Sequence, residues 1–155
     1  MQGKATLVGH PIHPMMVPLP IGFYVGALIC DVIRAFTHNP FWPQVSVVLI
    51  GFGIVGALLA ALFGFIDYGT TPMSATAKAT TTRHMVIVLL ASAIFAVAFW
   101  LRLSDNVSTV GIILTALGVI VLGVGGYLGG HLAYHFGIGV DQRTAERPAN
   151  ILSIE

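Results

Sequence analysis

The chain has few ionisable side chains, yet it carries six histidines, and five of them stand where long apolar runs start or stop. His10 and His13 precede the first run, His84 opens the third, and His131 and His135 close the fourth. With four consecutive spans, those three places share one face of a membrane. Imidazole at such a boundary is a neutral metal ligand or a proton carrier. The five are therefore expected to converge on a cofactor: haem b, or copper, zinc or non-haem iron.

Spacing narrows what each could do. His131 and His135 are four residues apart, so they share a helical face and could chelate one ion. They cannot both be axial ligands of one haem, because those approach from opposite sides of the ring. A haem would pair His84 with one of His10, His13, His131 or His135. In Gly9-His10-Pro11-Ile12-His13-Pro14, each proline pushes the histidine before it toward extended backbone. That segment is expected to be stiff and non-helical, with Met15 and Met16 as additional soft ligands if the ion were copper. Asp67, at the end of the second run, could accept the second N–H of a ligating imidazole or simply end its helix at the headgroups. His38 is expected alone on the other side.

The elements that must position these side chains follow from composition. Of 155 residues, 8% are charged and 56% hydrophobic, with a mean hydropathy of +0.91. A soluble domain is about a quarter charged, so the solvent of this chain is lipid. A net charge of +1 gives no basic surface for nucleic acid. The single Cys30 excludes an internal disulfide. Four spans are expected, at Met15–Phe36, Val45–Ile66, Met85–Leu101 and within Val107–Val140. The fold class is all-α, a four-helix transmembrane bundle over residues 1–140, followed by a polar, mobile tail over 141–155. The first span is expected to stay in the mature chain, since Asp31 and Arg34 stand where a small-residue cleavage site would be.

Small residues write the helix packing. Gly53, Ala57 and Ala61 recur every four positions, and Gly111, Gly118 and Gly125 every seven. Close backbone approach at such residues holds helices together in lipid, and the same seams could leave room for a flat cofactor. Asp31 is expected to pair with Arg34, one helical turn away. The Thr- and Ser-rich stretch from Gly69 to Thr82 is expected to be a loop or a short interfacial helix, which with Arg83 would meet haem propionates or anionic lipid. Lys4, Lys78, Arg83, Arg143 and Arg147 lie on the side of both termini, against Arg34 and Arg102 opposite. That bias puts both termini in the cytoplasm. No phosphate-binding glycine loop, paired-cysteine motif or nucleophile elbow is present.

The segments GHPIHPMMVPLPIG at Gly9–Gly22, GFIDYGTTP at Gly64–Pro72, TRHM at Thr82–Met85 and GGHLAYHFGIGV at Gly129–Val140 resemble a bacterial membrane family known as domain of unknown function 2231. The likeness runs from about Gly9 to Val140. It implies a four-helix protein of the bacterial inner membrane, with family motifs at His10, His13 and His84. Relatives joined to iron–sulfur modules imply redox work. His131 and His135 are additions to that pattern. The expected function is a b-type haem electron carrier, without a catalytic residue, that exchanges electrons with quinone or a redox protein. The alternatives are a non-haem metal-binding or metal-transport protein, and a structural subunit of a homo-oligomer or larger complex.

Overall fold

The computed structural model describes residues 3–140, and the tail expected over 141–155 lies outside the described residues. A two-stranded hairpin, β1 (Thr6–Leu7) and β2 (His10–Pro11), leads into a short helix, α1 (Ile12–Met16). Four long helices follow: α2 (Pro18–Thr37), α3 (Phe41–Thr70), α4 (Ala75–Ser104) and α5 (Thr109–Tyr134). Taken with α1, they give four spans of 26, 30, 30 and 26 residues, each long and apolar enough to cross a bilayer. The all-α, four-helix architecture is as composition requires.

The helices overrun the apolar runs that announce them, for local reasons. Pro18 and Pro20 fit the first turn of α2, where backbone N–H groups have no helical partner. The stretch from Gly69 to Thr82, expected as a loop or a short interfacial helix, comprises the end of α3, a connection over residues 71–74 and the first two turns of α4. Ser74 caps α4 by accepting from the Ala77 N–H. Thr80, Thr81 and Thr82 then donate to carbonyls one turn back, which satisfies their hydroxyls within the helix. Ser108 caps α5 in the same way. His38 ends α2 in the left-handed conformation and donates its backbone N–H to the Arg34 carbonyl.

The bundle is a helical hairpin used twice. Helix α2 packs most closely on α3 and α4 on α5, while the α3–α4 and α2–α5 seams are looser. A shift of 71 positions carries Pro20, Tyr24, Ala27 and Asp31 of α2 onto Ala91, Phe95, Ala98 and Arg102 of α4, all eight buried. A shift of 65, the separation of Ala60 and Gly125, carries Ser46, Ile50, Gly53 and Ala60 of α3 onto Gly111, Thr115, Gly118 and Gly125 of α5, again all buried. Two hairpins of the same sense are thus related by an approximate two-fold axis along the bundle, the parallel kind of membrane repeat.

Three pairs of side chains meet on that axis, each made of equivalent residues. At the end bearing the N-terminus, His13 faces His84. In the middle, the Tyr24 and Phe95 rings stack with centres 3.6 Å apart and planes within 2°. Each of those rings lies against a glycine of its own hairpin, Gly53 or Gly118, where a Cβ would come within 2.5 and 2.8 Å of it. At the far end Arg102 grips Asp31 through two hydrogen bonds of 2.7 and 2.8 Å. This corrects the expected Asp31–Arg34 pair. The counterpart position on the neighbouring hairpin offers a buried cation, whereas Arg34 can reach solvent.

Candidate functional site

Each axial histidine is fixed by the opposite helix of its own hairpin. His13 lies within α1 rather than in an extended segment, because α1 begins at Ile12, immediately after β2. The proline before it, Pro11, is the extended residue that caps α1. His13 Nδ1 lies 2.7 Å from the Ala60 carbonyl of α3. His84 Nδ1 lies 2.9 Å from the Gly125 carbonyl of α5, the equivalent acceptor. A carbonyl oxygen only accepts, so each Nδ1 carries a proton, and in the neutral ring the lone pair is then on Nε2. That is the tautomer of a ligating imidazole with a backbone second partner. One turn past each acceptor stands a glycine, Gly64 or Gly129, and a Cβ there would come within 3.0 and 3.1 Å of the imidazole. Bare backbone at both places lets the rings lie flat on the helices.

The ring centres of His13 and His84 are 6.5 Å apart, with planes at 83°. A metal–imidazole bond is about 2 Å long and the ring centre lies about 1.1 Å behind the nitrogen, so two imidazoles on opposite sides of one metal have centres about 6.2 Å apart. Around the pair is a cavity of about 660 Å³ between the two hairpins, within the range of small-molecule sites. Its walls are mostly apolar and include Val17, Val88, Met85, Ala61 and Leu132. Its polar end is formed by Asp67, Tyr68, Thr71 and Thr81.

The other sequence candidates stand elsewhere. His10 is exposed on β2, does not line the cavity, and hydrogen-bonds the Val8 carbonyl two residues back. His131 and His135 are outside the cavity as well, their rings stacked 4.6 Å apart and within 11° of parallel. A bound ion lies in the plane of each imidazole that holds it, so rings set face to face cannot share one without turning. Met15 and Met16 do not line the cavity either. The five histidines thus share an end of the bundle but occupy three places on it. Among the described residues no three or more His, Cys, Asp or Glu side chains come together as a metal site. Asp67 does not orient an imidazole; its carboxylate accepts from the Ala5 N–H at 3.2 Å. With the bond from Lys4 N to Thr70 Oγ1, this ties the segment before β1 to the end of α3.

Residues 9–142 match the family described as a predicted membrane protein, DUF2231. The chain belongs to this family. The match covers the segment from the His-Pro motif through all four helices of this DUF2231 protein. Neither a curated protein nor a solved structure matches the chain. The Asp31–Arg102 pair was not assigned from sequence, although its signal is there: one acid and one base in two spans of like direction, each 18 residues after its axial histidine.

Proposed function

We propose that this membrane protein is a b-type haem electron carrier, with His13 and His84 as the two axial ligands of one haem. The carrying observation is the pair of carbonyl-fixed imidazoles 6.5 Å apart across a cavity between the hairpins. The apolar walls fit a macrocycle, and the Tyr68 and Thr71 hydroxyls at the polar end can donate to its carboxylate edge. Haem would supply one-electron chemistry, its potential set by the ligands and by burial. The hairpins hold the ligands still, because each imidazole is anchored to a helix backbone that barely reorganises when charge changes.

Purified in detergent with haem supplied, the protein is expected to show a low-spin bis-imidazole spectrum that sharpens on reduction with dithionite. Near-perpendicular ring planes should give the ferric form a highly anisotropic low-spin electron paramagnetic resonance signal. A parent protein that takes up no haem, or binds it high-spin with one ligand, overturns this reading.

The orientation belongs to the same proposal. Arg102 is neutralised by Asp31 in the interior, so Arg34 alone remains as a free cation of the far side among the described residues, while Lys4, Lys78 and Arg83 lie on the haem side. This favours a cytoplasmic haem end in a bacterial inner membrane. Reporter fusions after Val140 should read cytoplasmic and fusions within residues 38–40 external; the reverse at both points refutes the orientation.

A further inference from the structure

The approximate two-fold symmetry makes each hairpin a control for the other, and it fails in one region. The cavity has two long edges, the α3–α4 seam and the α2–α5 seam, which the symmetry interchanges. Phe65 and Leu89 place large side chains along the first edge. The equivalent positions on the second edge are Gly130 and Pro18, and Ala61 is matched by Gly126. Gly22 and Gly126 are exposed there, and neither they nor Gly130 has another group within 4 Å of where a Cβ would stand. One edge of the cavity carries large apolar side chains and the other lies open between glycines.

Beside the open edge, the outer face of α5 departs from its counterpart in a second way. On α3 the lipid-facing positions Leu62 and Ile66 are aliphatic and exposed. The equivalent residues of α5 are Tyr127 and His131, and Tyr134 and His135 extend the same recess. This recess, about 470 Å³, shares Gly130 with the cavity wall. An interfacial belt does not account for the change at these two positions, because α3 carries Leu62 and Ile66 at the same level. Polar rings facing lipid are costly and mark function by default.

We propose that this recess binds a quinol from the lipid phase, with its ring against the open α2–α5 edge and a hydroxyl on His131. The proposal rests on the haem reading above. The site needs an occupant that is apolar enough to arrive through the bilayer, flat enough for a glycine-lined edge, and equipped with hydroxyls for Tyr127 and His131. A quinol meets all three requirements. A soluble redox protein meets none, since the opening faces lipid. Oxidation breaks both O–H bonds of the quinol. One proton passes to the His131 imidazole and the other through the Tyr127 hydroxyl, and both go on to water at the interface. Its two electrons pass singly to ferric haem, which a one-electron acceptor protein reoxidises between them, and the quinone leaves.

The test restores the symmetry. His131→Ile and Tyr127→Leu install kinds of residue that α3 carries at the equivalent positions, and neither residue lines the cavity. Haem-loaded parent and variants are mixed anaerobically with a short-chain benzoquinol, and haem reduction is followed by absorbance. The parent should be reduced rapidly, and each variant at least tenfold more slowly. The dithionite-reduced spectrum and the ferric paramagnetic resonance signal should be the same in all three. Haem that dithionite reduces but the quinol does not, or variants as fast as the parent, overturns the quinol site and leaves the haem reading standing. A parent without haem removes both.

Discussion

Under the proposed haem ligation, His13→Ala and His84→Ala should each strip the purified protein of most bound haem, and to a similar extent. Their equivalence under the two-fold axis is what makes the losses equal: each imidazole is held by one carbonyl, Ala60 or Gly125, and backed by one glycine, Gly64 or Gly129. Losing a partner outside the ligand shell of a metal typically costs ten- to a hundredfold in affinity, and losing a ligand itself should exceed that. His10→Ala, His38→Ala, His131→Ala and His135→Ala should keep the parental haem content and spectrum. Imidazole added to His84→Gly should restore the low-spin spectrum, since it refills the space the side chain leaves. Haem content is read by pyridine haemochrome against protein concentration. Full retention in either axial variant, or an equal loss in His131→Ala, refutes the assigned ligand pair.

Much of the bundle was legible because lipid imposes simple demands. A chain with so few charges has to satisfy its backbone internally, and four runs of sufficient length leave a four-helix bundle as the solution. The shared end of His13 and His84 followed from counting spans. Which histidines meet did not follow, because it depends on where α1 begins and how two helical hairpins face each other. His10 and His13 look alike in sequence, yet β2 holds one at the surface and α1 delivers the other to the cavity. The i, i+4 spacing of His131 and His135 was read correctly as one face, but the ring planes decide whether an ion can be shared. The internal repeat was hidden because it conserves environment and not identity. Tyr24 is matched by Phe95, and Ile50 by Thr115, with burial as the common property.

The last expectation concerns the far end of the axis. Asp31 is 5% exposed and Arg102 1%, and the guanidinium also donates to the Asn106 carbonyl at 3.0 Å and the Thr115 hydroxyl at 3.3 Å. Taken together these bonds satisfy both charges in a medium that would reject either one alone. Arg102→Ala leaves a buried carboxylate without its cation and should destabilise the fold by about 3–5 kcal/mol, as should Asp31→Ala for the opposite reason. Replacing both at once, Asp31→Leu with Arg102→Met, removes the desolvation cost together with the attraction and should leave stability close to the parent. Because the pair sits on the axis, the exchanged variant Asp31→Arg with Arg102→Asp should also fold. Its rescue should be partial, since an arginine on α2 meets Ile50 where Arg102 meets Thr115. Thermal unfolding in detergent, arranged as a double-mutant cycle, measures the coupling. Single variants as stable as the parent, with additive doubles, would show that the bundle does not depend on the pair. Strong coupling with partial rescue would mean that charge locks the two hairpins together at this end of the axis.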